Sequence, residues 1–257
     1  MSDTVLTKEK FHEILHTDIK KPISESRKLR IPAGNSTTYI NTHTGAHKIE
    51  WTESTIFLTN KVININVYLN FKKNSLSQSE YNKLVSLAKE GIEQYWSRNI
   101  KLGTARFSVR VKAHHRDNRA IPVDLYIEME RGKYARSMNP AVLGVDASFI
   151  YNKGTMTHKN AEMDFKLTTA HEFGHSVLMY AGGVKLSWGH KGTSDIFIQR
   201  ANNKATEYPN NGDIDLMKYY KFDDSENRFE IVHRDSIVTE VDLKRLIWGA
   251  DIKWVNQ

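Results

Sequence analysis

His171-Glu172-Phe173-Gly174-His175 is an H-E-x-x-H pentapeptide. A four-residue step on a helix is just over one turn, so the two imidazoles share a face and converge on one metal ion. Glu172 lies about 100° round the helix from His171. From there it can take a proton from water beside the metal without ligating the metal itself. Zinc is the ion this arrangement suits: it brings the pKa of water down to ~7 and polarises a carbonyl oxygen. His171 and His175 as ligands and Glu172 as general base are the parts needed for hydrolysis of an amide.

A catalytic zinc takes three protein ligands and keeps one position open. The chain has no cysteine and 11 histidines. Disulfides, thiolate-bound metals, iron–sulfur clusters and a cysteine nucleophile are thereby excluded, and the third ligand must be His, Asp, Glu or Tyr. The metzincin extension of the motif would place Gly at 178 and His at 181; this chain has Leu178 and Ala181. The downstream candidates are His190, Asp195, Glu207, Asp213 and Asp215, and spacing alone does not choose among them. The stretch from Asp213 to Tyr220 resembles the Met-turn of metzincins, in which a Met lies beneath the metal and a Tyr two residues later swings towards it. Met217 and Tyr219 have that spacing, and Asp213 and Asp215 sit just before them. The plain alternatives are a core methionine, a buried tyrosine ring and an Asp-Ile-Asp turn. His190 stands in Ser187-Trp188-Gly189-His190-Lys191-Gly192, where flanking glycines let a loop histidine come close to a metal or to an oxyanion. His114-His115, next to Arg116, reads as a solvated turn at a strand end.

These residues need rigid elements to hold them. Ile63, Ile65, Val67, Leu69 and Phe71 alternate with polar residues, as do Ala105 to Ala113 and Val123 to Met129, which predicts three strands with one buried face each. Val145 to Tyr151 reads as a further, edge strand along which an extended peptide would lie. Ser77 and Glu80 match a capping box, opening a helix that runs through Tyr81, Leu84, Ala88, Ile92 and Tyr95 to about Asn99. A second helix over about 165–179 carries the motif and stops at Gly182-Gly183. Ser236 is a candidate cap for a last helix with Val241, Leu243, Leu246, Ile247 and Trp248 as its apolar contacts and Lys244 and Arg245 facing water. The order predicts an α/β (α+β) fold with one mixed, twisted sheet, a backing helix and the H-E-x-x-H helix. Residues 1–50 read as an arm or a peripheral segment packed on the main body, with Phe11, Ile14, Leu15 and Ile19 on one short helix face, and 51–257 as the main domain.

Composition bounds the remaining readings. The 257 residues are 39% hydrophobic and 26% charged, ordinary for a chain with a sizeable core, and no apolar run is long enough to span a bilayer. The net charge of +7 points to an anionic partner. Arg106, Arg110 and Lys112 on one strand make a non-catalytic polyanion-binding module the second reading, although no recognised nucleic-acid motif is present. An inactive zinc-bearing scaffold is a third, which the intact Glu172 argues against. Met1 to Thr7 lacks the basic start and apolar stretch of a secretory signal.

The chain also resembles the zinc metallopeptidase effectors of type VI secretion systems, including the C-terminal extension of some VgrG spike proteins. The resemblance covers about residues 60–250. It rests on Tyr95 to Arg98, Lys133 to Pro140, Ala170 to Val177, Leu186 to Gly192 and Asp213 to Tyr220. It implies a zincin-like fold and an antibacterial toxin that is cytoplasmic in its producer, is exported without a signal peptide and acts in the target periplasm. The expected partners are a peptide or envelope substrate, an immunity protein and spike components. The third ligand in that family is acidic, and the position that matches is Asp213, where the family would have Glu. Tyr219 or His190 is then left to stabilise the oxyanion.

Overall fold

The computed structural model describes residues 6–20, 50–140, 145–221 and 228–255. Most of the expected arm, beyond residue 20, lies outside them. Among the described residues the chain forms a mixed seven-stranded sheet and five α-helices.

Strand β2 (Val62–Lys72) is the spine of the sheet, and its apolar residues are buried at every second position, as the alternation predicts. Along one side it pairs antiparallel with β1 (Thr52–Phe57). Along the other it pairs in parallel with β4 (Ala105–His115), and its last residues, Leu69 to Lys72, pair in parallel with β5 (Ile121–Glu128). The sheet is completed by β3 (Arg98–Leu102) antiparallel to β4, β6 (Ala147–Asn152) parallel to β5, and β9 (Asp251–Val255) parallel to β1. A separate two-stranded parallel pair joins β7 (Ile214–Asp215) to β8 (Ser236–Ile237).

Helix α2 (Gln78–Trp96) opens with both hydrogen bonds of the Ser77/Glu80 capping box. It packs against α3 (His158–Ser187), the helix that carries the H-E-x-x-H motif. The two come so close that a Cβ on Gly91 would sit 2.2 Å from the Lys166 carbonyl oxygen, so only glycine fits at the crossing. Trp96 Nε1 donates to the carbonyl of Ala170 at 3.0 Å, one residue before His171. Phe173, about 200° round the helix from His171, is buried edge-on against Trp51 and Trp96. Those contacts fix the rotation of α3 and leave His171 and His175 on the opposite side from the core.

Several sequence expectations are corrected here. Helix α3 starts at a Thr157 N-cap, well before residue 165, because its first turns are polar and carry no periodic signal. Gly183, at φ 69°, breaks it where the glycine pair predicts. The last helix, α5 (Glu240–Gly249), is capped by Thr239 and not by Ser236, which pairs within β8. Lys244 and Arg245 do not face water. Both are buried, Lys244 bonding Asp18 of α1 (Lys8–Lys20) at 2.7 Å and Arg245 bonding Asp242 at 2.5 Å. Helix α1 buries Phe11, Leu15 and Ile19 in the main core, the packing on the body that its apolar face leads one to expect. His114 and His115 belong to β4 and are not a solvated turn: His114 bonds Asn66, and His115 Nδ1 accepts from the Phe71 N–H. Strand β6 is an edge of the sheet as expected, its one ladder being with β5, and Met138 covers it at a single antiparallel bridge to Ser148.

Asp164, on the buried side of α3, lies between Tyr134, whose hydroxyl donates to it at 3.3 Å, and His233 of α4 (Arg228–Asp235), 3.9 Å away. Burial pushes its carboxyl up to about 6 from an ordinary 3.8, against the pull of hydrogen bonds from Tyr134 and Asn152. A carboxyl whose folded pKa is raised contributes stability that is complete below the unfolded value and is lost as pH rises through the folded one. Asp164→Asn should therefore flatten part of the fall in urea midpoint between pH 4 and 6. At pH 7 it should stabilise the fold by on the order of 3 kcal/mol. An unchanged difference between wild type and variant across that range would contradict the assignment.

Candidate metal centre

His171 and His175 sit one turn apart on α3, with ring centroids 4.8 Å apart. After Gly183 the chain makes one more short helical piece and turns back through Trp188-Gly189 into a 3₁₀ turn over His190–Gly192. Gly189 is required there, because a Cβ would meet the Lys185 carbonyl oxygen at 2.3 Å. The next two residues, His190 and Lys191, are both left-handed (φ 45° and 58°), a conformation that side-chain-bearing residues adopt only when their surroundings enforce it. Lys191 Nζ is held 2.6 Å from Asp215 and 2.6 Å from Asp242. Burial works to raise the Asp242 carboxyl, but Lys191 and Arg245 outweigh it and keep it below the ordinary range. This ion network pins Lys191 and so turns the His190 ring towards α3. The ligand-capable nitrogens of His171, His175 and His190 all lie within 4.8 Å of one another, so these three residues could hold a metal ion.

The hydrogen bonds fix which nitrogen of each ring faces that point. His171 Nδ1 is 2.7 Å from the Leu216 carbonyl oxygen, which can only accept. Ser187 Oγ donates to the His175 carbonyl at 2.9 Å, so it accepts from His175 Nδ1 at 3.1 Å. Ser194 Oγ donates to the Trp188 carbonyl at 3.0 Å and accepts from His190 Nδ1 at 2.7 Å. Each Nδ1 therefore carries a proton, and each Nε2 presents a lone pair. His171 Nε2 and His190 Nε2 face each other at 3.2 Å with no proton available between them. Two lone pairs at that distance repel unless a cation lies beside both. Burial also lowers all three imidazoles, His171 to about 4, with His175 and His190 further depressed by the neighbouring rings, so they are neutral at pH 7 as ligation requires.

Glu172 is buried beside the cluster, with Oε2 4.0 Å from His175 Nε2. Burial pushes its carboxyl up to about 8, against the Arg136 charge and the backbone N–H of Asn139. The Asn139 side chain donates to the Glu172 carbonyl at 2.7 Å and bonds Ser176, tying the segment before β6 to the motif helix.

Met217 is fully buried beneath the motif: a Cβ on Gly174 would fall 2.2 Å from its sulfur. The same loop supplies the Leu216 carbonyl to His171. Tyr219 stacks on His190 with centroids 3.7 Å apart, and its hydroxyl accepts a hydrogen bond from Arg136.

The acidic candidates are placed elsewhere. Asp213 pairs with Arg98 at 2.9 Å with its side chain 63% exposed, because β7 points it away from α3. Asp215 is taken by Lys191 and Asp195 closes the turn beyond His190, while Glu207 lies 3.9 Å from Lys221 at the surface. His190, not Asp213, joins His171 and His175. Sequence reasoning missed Lys191, Ser187 and Ser194 as supports of the centre, and Arg136 as the partner of Tyr219. The serines flanking Trp188-Gly189-His190 were the available signal.

Comparison of the chain with protein-family models, with curated proteins and with solved structures finds no match.

Proposed function

We propose that the chain is a zinc-dependent peptidase with a zincin-like arrangement of sheet, backing helix and motif helix. The observation that carries this reading is the convergence of three proton-free Nε2 atoms, with a buried carboxylate 4.0 Å from one of them. Zinc–nitrogen bonds of 2.0–2.1 Å in a tetrahedron put ligand nitrogens about 3.3 Å apart, close to the 3.2 Å between His171 and His190. Three neutral nitrogen donors suit zinc and are a poor set for magnesium or calcium, which take oxygen. Zinc, when bound, supplies Lewis acidity: it activates water at neutral pH and polarises the scissile carbonyl.

The chain's own residues do the rest. Glu172 takes the proton of the attacking water and passes it to the leaving amine. Its buried carboxyl suits both directions of that transfer. The Tyr219 oxygen already accepts from Arg136, so its own proton is free to be donated to the developing oxyanion. Delivery by a type VI secretion system, action in a target periplasm, and pairing with an immunity protein and spike components are proposed on the resemblance of the motif-bearing segments.

Purified protein should contain about one zinc per chain, measured by elemental mass spectrometry. Chelation should abolish peptide hydrolysis, and zinc should restore it. Full activity in metal-free protein would sink the reading. The delivery proposal is tested separately by directing the chain to the periplasm of a susceptible bacterium, where growth should stop, whereas cytoplasmic expression should be tolerated.

A further inference from the structure

We infer that the substrate is an extended polypeptide with a bulky apolar side chain next to the scissile bond, and not the small, acidic stem peptides of a cell wall. This rests on the peptidase reading and adds the substrate class to it.

A cleft of ≈ 280 Å³ opens directly onto Glu172 and His175. Its other walls are largely apolar, formed by Met138, Pro140, Trp188, Ile196 and Phe197. Phe197 is 92% exposed, and the adjacent Ile198 and the cleft residue Met138 are 66% and 50% exposed. Large apolar side chains are not usually displayed together on a surface unless something binds them. Their display is built into the chain. The Asp195 carboxylate accepts from the N–H groups of both Phe197 and Ile198, at 2.8 and 2.9 Å. Gln199 closes the turn by donating to the Asp195 carbonyl and anchors it to the Trp188 carbonyl at 3.0 Å. The turn therefore hangs from the same Trp188 carbonyl that receives the Ser194 hydroxyl supporting His190, which ties the apolar wall to the metal centre.

Charge points the same way. Among the described residues lining the cleft, Arg136 and Glu172 are the charged ones. Arg136 is already engaged by Gln199 and Tyr219. A stem peptide with several carboxylates would find Arg136 as the single cationic side chain among those lining residues, with its N–H groups already in use, and would approach Glu172. Met138, which also lines the cleft, is bridged antiparallel to Ser148 of β6, so a chain lying in the cleft meets apolar side chains from two separate segments.

The test incubates zinc-loaded protein with a defined peptide mixture and, in parallel, with purified peptidoglycan, and reads cut sites by mass spectrometry. Cuts should fall beside Phe, Leu, Ile, Met or Tyr. Phe197→Ser, at a position open to solvent, should lower kcat/KM for the best apolar peptide by about 10-fold, and that for its alanine counterpart by no more than about twofold. Cutting without apolar preference, a preference unchanged in Phe197→Ser, or release of peptidoglycan fragments in place of peptide cleavage would overturn the inference and leave a metallohydrolase standing. No hydrolysis at all by zinc-loaded protein would bring down the peptidase reading and this inference with it.

Discussion

His190→Asn is expected to lose stoichiometric zinc, whereas Asp213→Ala is expected to keep it. Asparagine tolerates the left-handed backbone that His190 adopts, so the substitution removes the imidazole without adding backbone strain. What remains is a two-histidine site on one helix turn. Removing a group that merely orients a ligand already costs about 10–100-fold in metal affinity, so loss of a direct ligand should exceed that range. Zinc affinity measured by competition with a chromophoric chelator reads the effect. The Asp213 variant gives up an ion pair with Arg98 at the surface, worth at most about 1 kcal/mol to the fold, and nothing at the centre. The opposite ranking, with zinc lost from Asp213→Ala and kept in His190→Asn, would restore an acidic third ligand and refute the three-histidine centre.

The contrast between those two residues also marks where the sequence stops being legible. His171, Glu172 and His175 are local: one helix turn brings them together, and helix geometry is common to all helices. The strands are nearly as readable, because burial on one face of β2, β4 and β5 writes a period of two directly into the chain. His190 is different. It reaches the centre only because the chain reverses at Gly183 and Gly189 and because Lys191 is clamped between Asp215 and Asp242, which lie 24 and 51 residues further on. No spacing rule encodes that clamp. Asp213, attractive for its place beside a Met-turn-like stretch, is sent outward by the pairing of Ile214 and Asp215 with Ser236 and Ile237. The Met-turn resemblance itself corresponds to a physical contact, since Met217 packs under Gly174. Its acidic neighbour serves a different purpose. Lys244 and Arg245 read as solvent-facing for a similar reason: the carboxylate that receives Lys244 is Asp18 of α1, from the other end of the chain, while Arg245 pairs with Asp242 inside the core.

Glu172→Gln should retain zinc and lose hydrolysis by about 10²–10⁴-fold, a rise in barrier of about 3–5 kcal/mol. The two halves of that result answer different questions. Zinc retention follows from geometry: Glu172 Oε2 stands 4.0 Å from His175 Nε2, and three imidazoles complete the donor set without it. Loss of activity follows from proton bookkeeping. The three histidines carry their protons on Nδ1, where Leu216, Ser187 and Ser194 hold them, so none can accept a proton from water while its Nε2 is a ligand. Tyr219 and Arg136 are donors at neutral pH. Glu172 is then the one base at the centre among the described residues, and glutamine keeps its shape and its contact with the Asn139 N–H while removing the basic oxygen. A metal dication held by the three histidines would draw the carboxyl's pKa back down from the value set by burial and so favour the ionised, proton-accepting form. Loss of zinc together with activity would make Glu172 a ligand. Undiminished hydrolysis would assign the base elsewhere. A wild type that binds zinc and is no more active than the glutamine variant would identify the chain as a scaffold that holds the metal without using it.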